Sequence, residues 1–214
     1  MEIPGSATVA QGARRKPAPL AWLAPGVFLG ALWPAVLLLL RAATGDLGAN
    51  PIAEAENQLG LTSLVFLVAS LACTPLKLVA GWSWPLRIRR QLGLWAFAYA
   101  GLHFAVFLGL DHGLDLGALV ADIAKRPFIL VGSSALLVLA VLALTSTQVW
   151  TRRLGFVRWK QLHRAVYVAG ILACVHFLLR VKAADPTPLF YAAVLGVLLG
   201  VRLVPGLGKK RRAA

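Results

Sequence analysis

Apolar runs of about twenty residues recur along this chain, at 20–40, 59–80, 92–110, 127–146, 161–181 and 188–204. Lipid offers no partner to a backbone N–H or C=O, so a segment crossing it must satisfy those groups internally. About twenty residues of α-helix do so while spanning ~30 Å of hydrocarbon. The pattern predicts an all-α integral membrane protein, a bundle of six transmembrane helices. Of 214 residues, 14% are charged, against about 25% in soluble domains. We expect one helical domain over 20–205, a disordered Pro/Ala-rich tail over 1–19 and a basic tail over 206–214. The first run is longer than a signal-peptide core, so it reads as a retained helix.

A formal net charge of +14 would suggest nucleic acid in a soluble protein. Here the distribution of charge points to lipid instead, and nucleic acid is not expected as a partner. Arg14, Arg15 and Lys16 precede the first run, and Lys77, Arg87, Arg89 and Arg90 separate the second from the third. Arg152, Arg153, Arg158, Lys160 and Arg164 lie between the fourth and the start of the fifth, and Arg202 with 209–212 lies at and beyond the end of the sixth. The alternate loops hold Asp46, Glu54, Glu56, Asp111, Asp115, Asp122 and Asp185. Basic loops stay in the cytoplasm, so both termini are expected there. Trp22, Trp82, Trp84, Trp150 and Trp159 fall near the same edge, where indoles anchor at headgroup depth. Cys73 and Cys174 lack metal-site spacing and read as small apolar packing residues. Gly196 and Gly200 have the small-xxx-small spacing of a close helix contact.

The histidines carry the chemistry. An imidazole in hydrocarbon is costly unless satisfied, and it is the usual axial ligand of haem iron. His103 lies past the midpoint of the third run and His176 in the outer half of the fifth, so the two stand at similar depth on different helices. They are expected to grip one haem iron from both sides. His163 lies at the inner edge of the fifth run, about 20 Å from His176 along a helix. It suits a second, inner haem or a solvated histidine at the interface. Thirteen residues rotate an ideal helix by about 220°, so the two rings share a face only if the helix is irregular, and Gly170 is the expected place for a kink or π-bulge. No second histidine serves an inner haem: Arg89 and Arg90 stand where it would fall. With Lys160 they suit haem propionates, or docking of an electron donor, as well as topology. There is no C-x-x-C-H, so any haem is held non-covalently. His112, in Asp111-His112-Gly113, reads as a loop histidine.

Longer segments carry a resemblance. Arg89-Arg90-Gln91-Leu92-Gly93-Leu94-Trp95, continuing through Tyr99 to His103, resembles the third helix of the MsrQ (YedZ) family. Leu144-Thr145-Ser146-Thr147-Gln148, Arg153-Leu154-Gly155, Trp159-Lys160-Gln161-Leu162-His163-Arg164 and the stretch from Tyr167 to His176 resemble it too. So do Leu47-Gly48-Ala49-Asn50-Pro51 and Thr74-Pro75-Leu76. The likeness covers about 20–205 and implies a ferric-reductase-like membrane protein with six helices and one or two b-type haems. It implies His103, His163 and His176 as haem ligands. It further implies an electron-transfer subunit in the bacterial inner membrane, fed by quinone or by a cytosolic flavin reductase. Its electron acceptor would be a periplasmic molybdopterin subunit that reduces methionine sulfoxide in oxidised proteins. FMN is implied by the resemblance alone. No dehydrogenase domain is expected after the last helix, so the donor should be a separate protein. The rival readings are a quinol-dependent ferric reductase acting on a small acceptor, and a non-redox transporter or assembly protein.

Overall fold

The computed structural model describes Leu20, residues 22–181 and residues 185–204. Among these residues there is no strand, and nine helices follow one another: α1 (Leu23–Ala43), α2 (Pro51–Val79), α3 (Pro85–Val106), α4 (Leu116–Lys125), α5 (Pro127–Leu144), α6 (Gln148–Leu154), α7 (Phe156–Leu162), α8 (Val166–Arg180) and α9 (Thr187–Leu203). Five helical stretches are long and apolar enough to cross a membrane: α1, α2, α3 with its extension to Asp111, α5, and α7 with α8. The sixth apolar run forms α9, a helix of 17 residues, shorter than those five. The expected tails, 1–19 and 206–214, lie outside the described residues.

The helices start where local chemistry lets them. Pro51 occupies the first turn of α2, where its missing N–H costs nothing, and Asn50 Oδ1 accepts from the Ala53 amide at 3.1 Å. This lengthens the second helix outward by a turn and more, through a polar stretch (Glu54, Glu56, Asn57, Gln58) that hydropathy alone leaves in the loop. Asp115 caps α4 by accepting from Ala118 at 3.0 Å. Helix α4 was not expected: its ten residues are too few to cross lipid, and it buries Leu119 while Leu116 and Val120 stay exposed. His112 ties it to the end of α3, with Nδ1 3.2 Å from the Phe107 carbonyl and Nε2 3.3 Å from Asp122 Oδ2.

The centre of the bundle is α2. Leu67 and Leu71 are fully buried there and pack with Ala96 of α3, Leu139 of α5, Ala169 of α8 and Leu195 of α9. Cys73 and Cys174 are buried and unbridged, as packing residues. Large apolar side chains such as Leu29, Leu39, Leu137 and Val141 point outward, an arrangement stable only against lipid. Gly196 and Gly200 mediate no helix contact among the described residues, where no atom of another helix comes within 4 Å of where their Cβ would stand. The close approach is made instead at Gly170, whose Cβ would meet Leu71 of α2 at 3.2 Å and Leu195 of α9 at 3.4 Å.

Tyr99 shows how one buried polar group locks two helices. Its hydroxyl donates to the Ala31 carbonyl at 2.6 Å and accepts from the Ala35 amide at 3.1 Å. Those two groups are an i, i+4 pair of α1, beside Pro34. The phenol of α3 therefore stands in a backbone link of its neighbour.

Candidate functional site

Two cavities open within the bundle. The larger, about 670 Å³, has walls from α2, α3, α5 and α8 and holds His103 and His176. Glu56, Asp111, Arg126, Arg180 and Asp185 edge it, and we call it the acidic-side cavity. The smaller, about 410 Å³, holds His163 with Arg89, Arg90, Lys160 and Arg164, and is the basic-side cavity. Among the described residues no carboxylate lines it. Leu67 and Leu139 line both cavities, so these two buried side chains form the partition between them.

His103 and His176 are positioned by the same device. His103 Nδ1 lies 2.9 Å from the Glu56 carbonyl, and Gly60 stands four residues further along α2. His176 Nδ1 lies 2.6 Å from the Phe128 carbonyl, and Gly132 stands four residues further along α5. In an α-helix the carbonyl of residue i points at residue i+4. With no Cβ at i+4, a side chain from a facing helix can lie on the backbone and reach that carbonyl as a second donor. The fit leaves little spare room. A Cβ on Gly60 would stand 3.3 Å from the His103 ring, and one on Gly132 only 2.6 Å from His176 Nδ1.

This fixes the tautomer. A carbonyl only accepts, so Nδ1 carries the hydrogen in both rings and Nε2 keeps its lone pair. Neither Nε2 has a hydrogen-bond partner among the described residues. The ring centres are 6.3 Å apart with planes at 77°. Two metal–imidazole bonds of about 2 Å, each followed by about 1.1 Å from nitrogen to ring centre, give a coaxial pair about 6 Å apart. The ring-centre spacing therefore matches that of a single iron held between two imidazoles, and each ring has the carbonyl partner on its other nitrogen that metal-bound histidines usually have. Phe104, Phe107, Ile129, Leu136 and Phe177 supply the apolar walls that a flat macrocycle needs.

The basic-side cavity is built differently. His163 Nδ1 is 3.0 Å from the Trp159 carbonyl, one turn back on its own helix, and its ring stacks on the Trp159 indole at 4.0 Å. Ser146 Oγ lies 3.4 Å from Nε2 and gives its hydrogen to the Leu142 carbonyl at 2.6 Å. Unlike the other two rings, His163 thus has a polar neighbour at Nε2. The sequence-predicted Arg89, Arg90 and Lys160 are brought together with His163, but no second imidazole joins them. Instead, the glycine device recurs: Ser70 Oγ of α2 donates to the Arg89 carbonyl at 3.0 Å, with Gly93 four residues on. A serine sits where the other two notches hold an imidazole.

The expected irregularity between His163 and His176 exists, but not at Gly170. It is a 3₁₀ turn, His163–Ala165, joining α7 to α8. Three residues at about 120° in place of about 100° each narrow the angular gap between the two rings from about 140° to about 80°. Gly170 lies inside regular helix and serves packing. The π turn is elsewhere, at Phe107–Asp111 after α3, where the chain leaves the bundle. Sequence reasoning missed Gly60, Gly132, Gly93 and Ser70. A glycine four residues after a turn-opening position on a neighbouring helix was the available signal.

Comparison with known proteins agrees with this architecture. Residues 22–174 match the family described as ferric reductase like transmembrane component. A Rhodospirillum rubrum protein named protein-methionine-sulfoxide reductase heme-binding subunit MsrQ is 51% identical over 185 residues, 86% of this chain and 89% of that protein. A Deinococcus radiodurans protein of the same name is 48% identical, covering 88% and 93% of the two chains. One from Brucella ovis is 42% identical over 96% of this chain and 93% of its own. With its helical bundle and paired imidazoles, the chain is a multi-pass membrane protein that belongs to the MsrQ family of ferric-reductase-like transmembrane components.

Proposed function

We propose that the chain is a six-span membrane cytochrome b with both termini in the cytoplasm of a bacterium and its acidic side facing the periplasm. It relays electrons from quinone or a cytosolic flavin reductase to a periplasmic molybdopterin methionine sulfoxide reductase, in support of repair of oxidised proteins. The substrate chemistry belongs to that partner. The relatives' name, heme-binding subunit of a protein-methionine-sulfoxide reductase, supports the reading. The observation that carries it is the pair of glycine-seated imidazoles, 6.3 Å apart between ring centres, with no hydrogen bond to either Nε2 among the described residues.

Haem b, when bound, supplies reversible one-electron chemistry. The chain's residues supply the rest. His103 and His176 bind an outer haem, and their Nδ1–H···O=C bonds hold the rings in the ligating tautomer and raise their basicity. His163 binds a second haem in the basic-side cavity. Arg89, Arg90 and Lys160 receive its carboxylates, or dock the donor. Leu67 and Leu139 keep water out of the space between the two sites. FMN is part of this reading through family resemblance only.

Pyridine haemochrome analysis of the purified protein should give one or two haem b per chain. Dithionite-reduced protein should be reoxidised by the oxidised form of the purified periplasmic partner far faster than by ferric chelates. If the chelates match the partner, the ferric-reductase reading replaces the relay. A colourless preparation from haem-replete cells overturns both.

A further inference from the structure

Arg202 is counted in the sequence among the positive charges that set topology. The structure turns it toward the bundle and half-buries it. It lies in the last turn of α9 and turns inward to two neutral acceptors. One is the Leu71 carbonyl of α2, which its Nη2 reaches. Four residues on from Leu71 is Pro75, which has no N–H, so that carbonyl is without its helical partner and open to a donor from outside. The other is the Tyr167 hydroxyl, 2.5 Å from Nη1, with the guanidinium carbon 4.9 Å from the phenol ring centre. Its Nε is buried with no partner among the described residues. Arg202 as a whole is half-buried, and a cation withdrawn from solvent ordinarily needs a counter-charge. No ion pair to Arg202 occurs among the described residues, and no carboxylate lines the adjacent basic-side cavity.

Tyr167 is the link between Arg202 and that cavity, whose wall it forms. Its oxygen accepts from Arg202, and its hydrogen goes to no acceptor among the described residues. A phenol whose lone pair is held by a guanidinium is a stronger donor, because the bond withdraws electron density from the oxygen. Tyr167 thus shares the cavity lining with Arg89, Arg90, Lys160 and Arg164, and a guanidinium is bonded to its hydroxyl oxygen.

We propose that Tyr167, held and polarised by Arg202, donates its hydroxyl hydrogen to an anionic oxygen of the ligand in the basic-side cavity. Tyr167 is the binding residue; Arg202 is a positioning residue that acts through it. The proposal rests on the reading that this cavity holds a cofactor. Two sources offer the required oxygen: a haem carboxylate and the phosphate of a flavin mononucleotide.

The test uses the full chain in a His176→Ala background, where the basic-side cavity is the one measured. One arm compares retention of haem with that of its dimethyl ester; the other compares flavin mononucleotide with riboflavin. The parent should prefer the anionic form in one arm, and Tyr167→Phe should cut that preference about tenfold. Arg202→Gln should cut it as much, Arg202→Lys should restore part of it, and Tyr167→Phe with Arg202→Gln should be no worse than either alone. A merely structural Arg202 would weaken anionic and neutral probes equally and leave the ratio unchanged, which overturns the proposal. So does a preference that Arg202→Gln leaves undiminished. The same probes are run on the chain with His176 intact. Haem bound there without any anionic preference in either arm overturns the donor pair and leaves the cytochrome reading standing. No haem bound anywhere overturns both.

Discussion

His176 lies so close to Gly132 that a single methyl group there would overlap its ring. The ideal Cβ falls 2.6 Å from Nδ1 and 2.8 Å from Cε1. His103 sits on Gly60 with more clearance, 3.3 Å. The two imidazoles, 6.3 Å apart between ring centres, are thus each specified by a partner helix as much as by their own.

The difference in clearance orders two substitutions. Gly132→Ala should displace His176, break its 2.6 Å bond to Phe128 and abolish the outer haem. Gly60→Ala should weaken haem retention several-fold without abolishing it. Helix propensity alone would make both changes favourable by about 1 kcal/mol, so haem loss with an unchanged far-UV spectrum separates the seat from the fold. Equal haem content in Gly132→Ala and the parent would refute the seat.

His103→Ala and His176→Ala should each remove the same haem, because one imidazole at this site leaves an open coordination position. Haem per chain by pyridine haemochrome should fall by the same amount in both, and in the double substitution by no more. Electron delivery to the periplasmic partner should be lost in all three. Full haem content and activity in either single variant would remove the assignment.

His163→Ala should leave the outer haem in place, since the cavity it lines is separated from the other by Leu67 and Leu139. Reduction of the outer haem by a donor on the basic side should slow at least tenfold, while direct chemical reduction should be unaffected. An unchanged donor-driven rate would count against a role for His163.

Tyr99→Phe removes a hydroxyl that serves both the Ala31 carbonyl and the Ala35 amide. Both groups would be left unpaired in a buried place, at a cost of about 1–3 kcal/mol. Thermal unfolding in detergent should shift downward by several degrees with haem content intact. A transition unchanged within error would mean that α1 relaxes to close its own bond.

The sequence carried the parts that depend on period and depth. Apolar run length predicted α1, α2, α3, α5, α8 and α9, and counting along the third and fifth runs brought His103 and His176 to one level. Arg89, Arg90, Lys160 and His163 do share a cavity. What it did not reveal depends on lateral contact. The notches at Gly60, Gly132 and Gly93 are visible only when a second helix lies against them. Arg202 looks like a loop charge until the carbonyl freed by Pro75 is seen across from it. Helix α4 and helix α6 fell below the length that hydropathy detects. Gly170 was a reasonable place for a kink, since glycine weakens a helix, but its lack of a side chain is used for contact with Leu71 and Leu195. The turn falls instead at His163–Ala165, where α7 meets α8.

The partition made by Leu67 and Leu139 has a bearing on energy conservation. Aliphatic side chains offer a proton nothing to hop along, yet an electron can tunnel through a few ångströms of them. A redox carrier built around such a plug would work as a wire with a dry joint: current crosses, while the ion gradient on either side is not short-circuited through the same path.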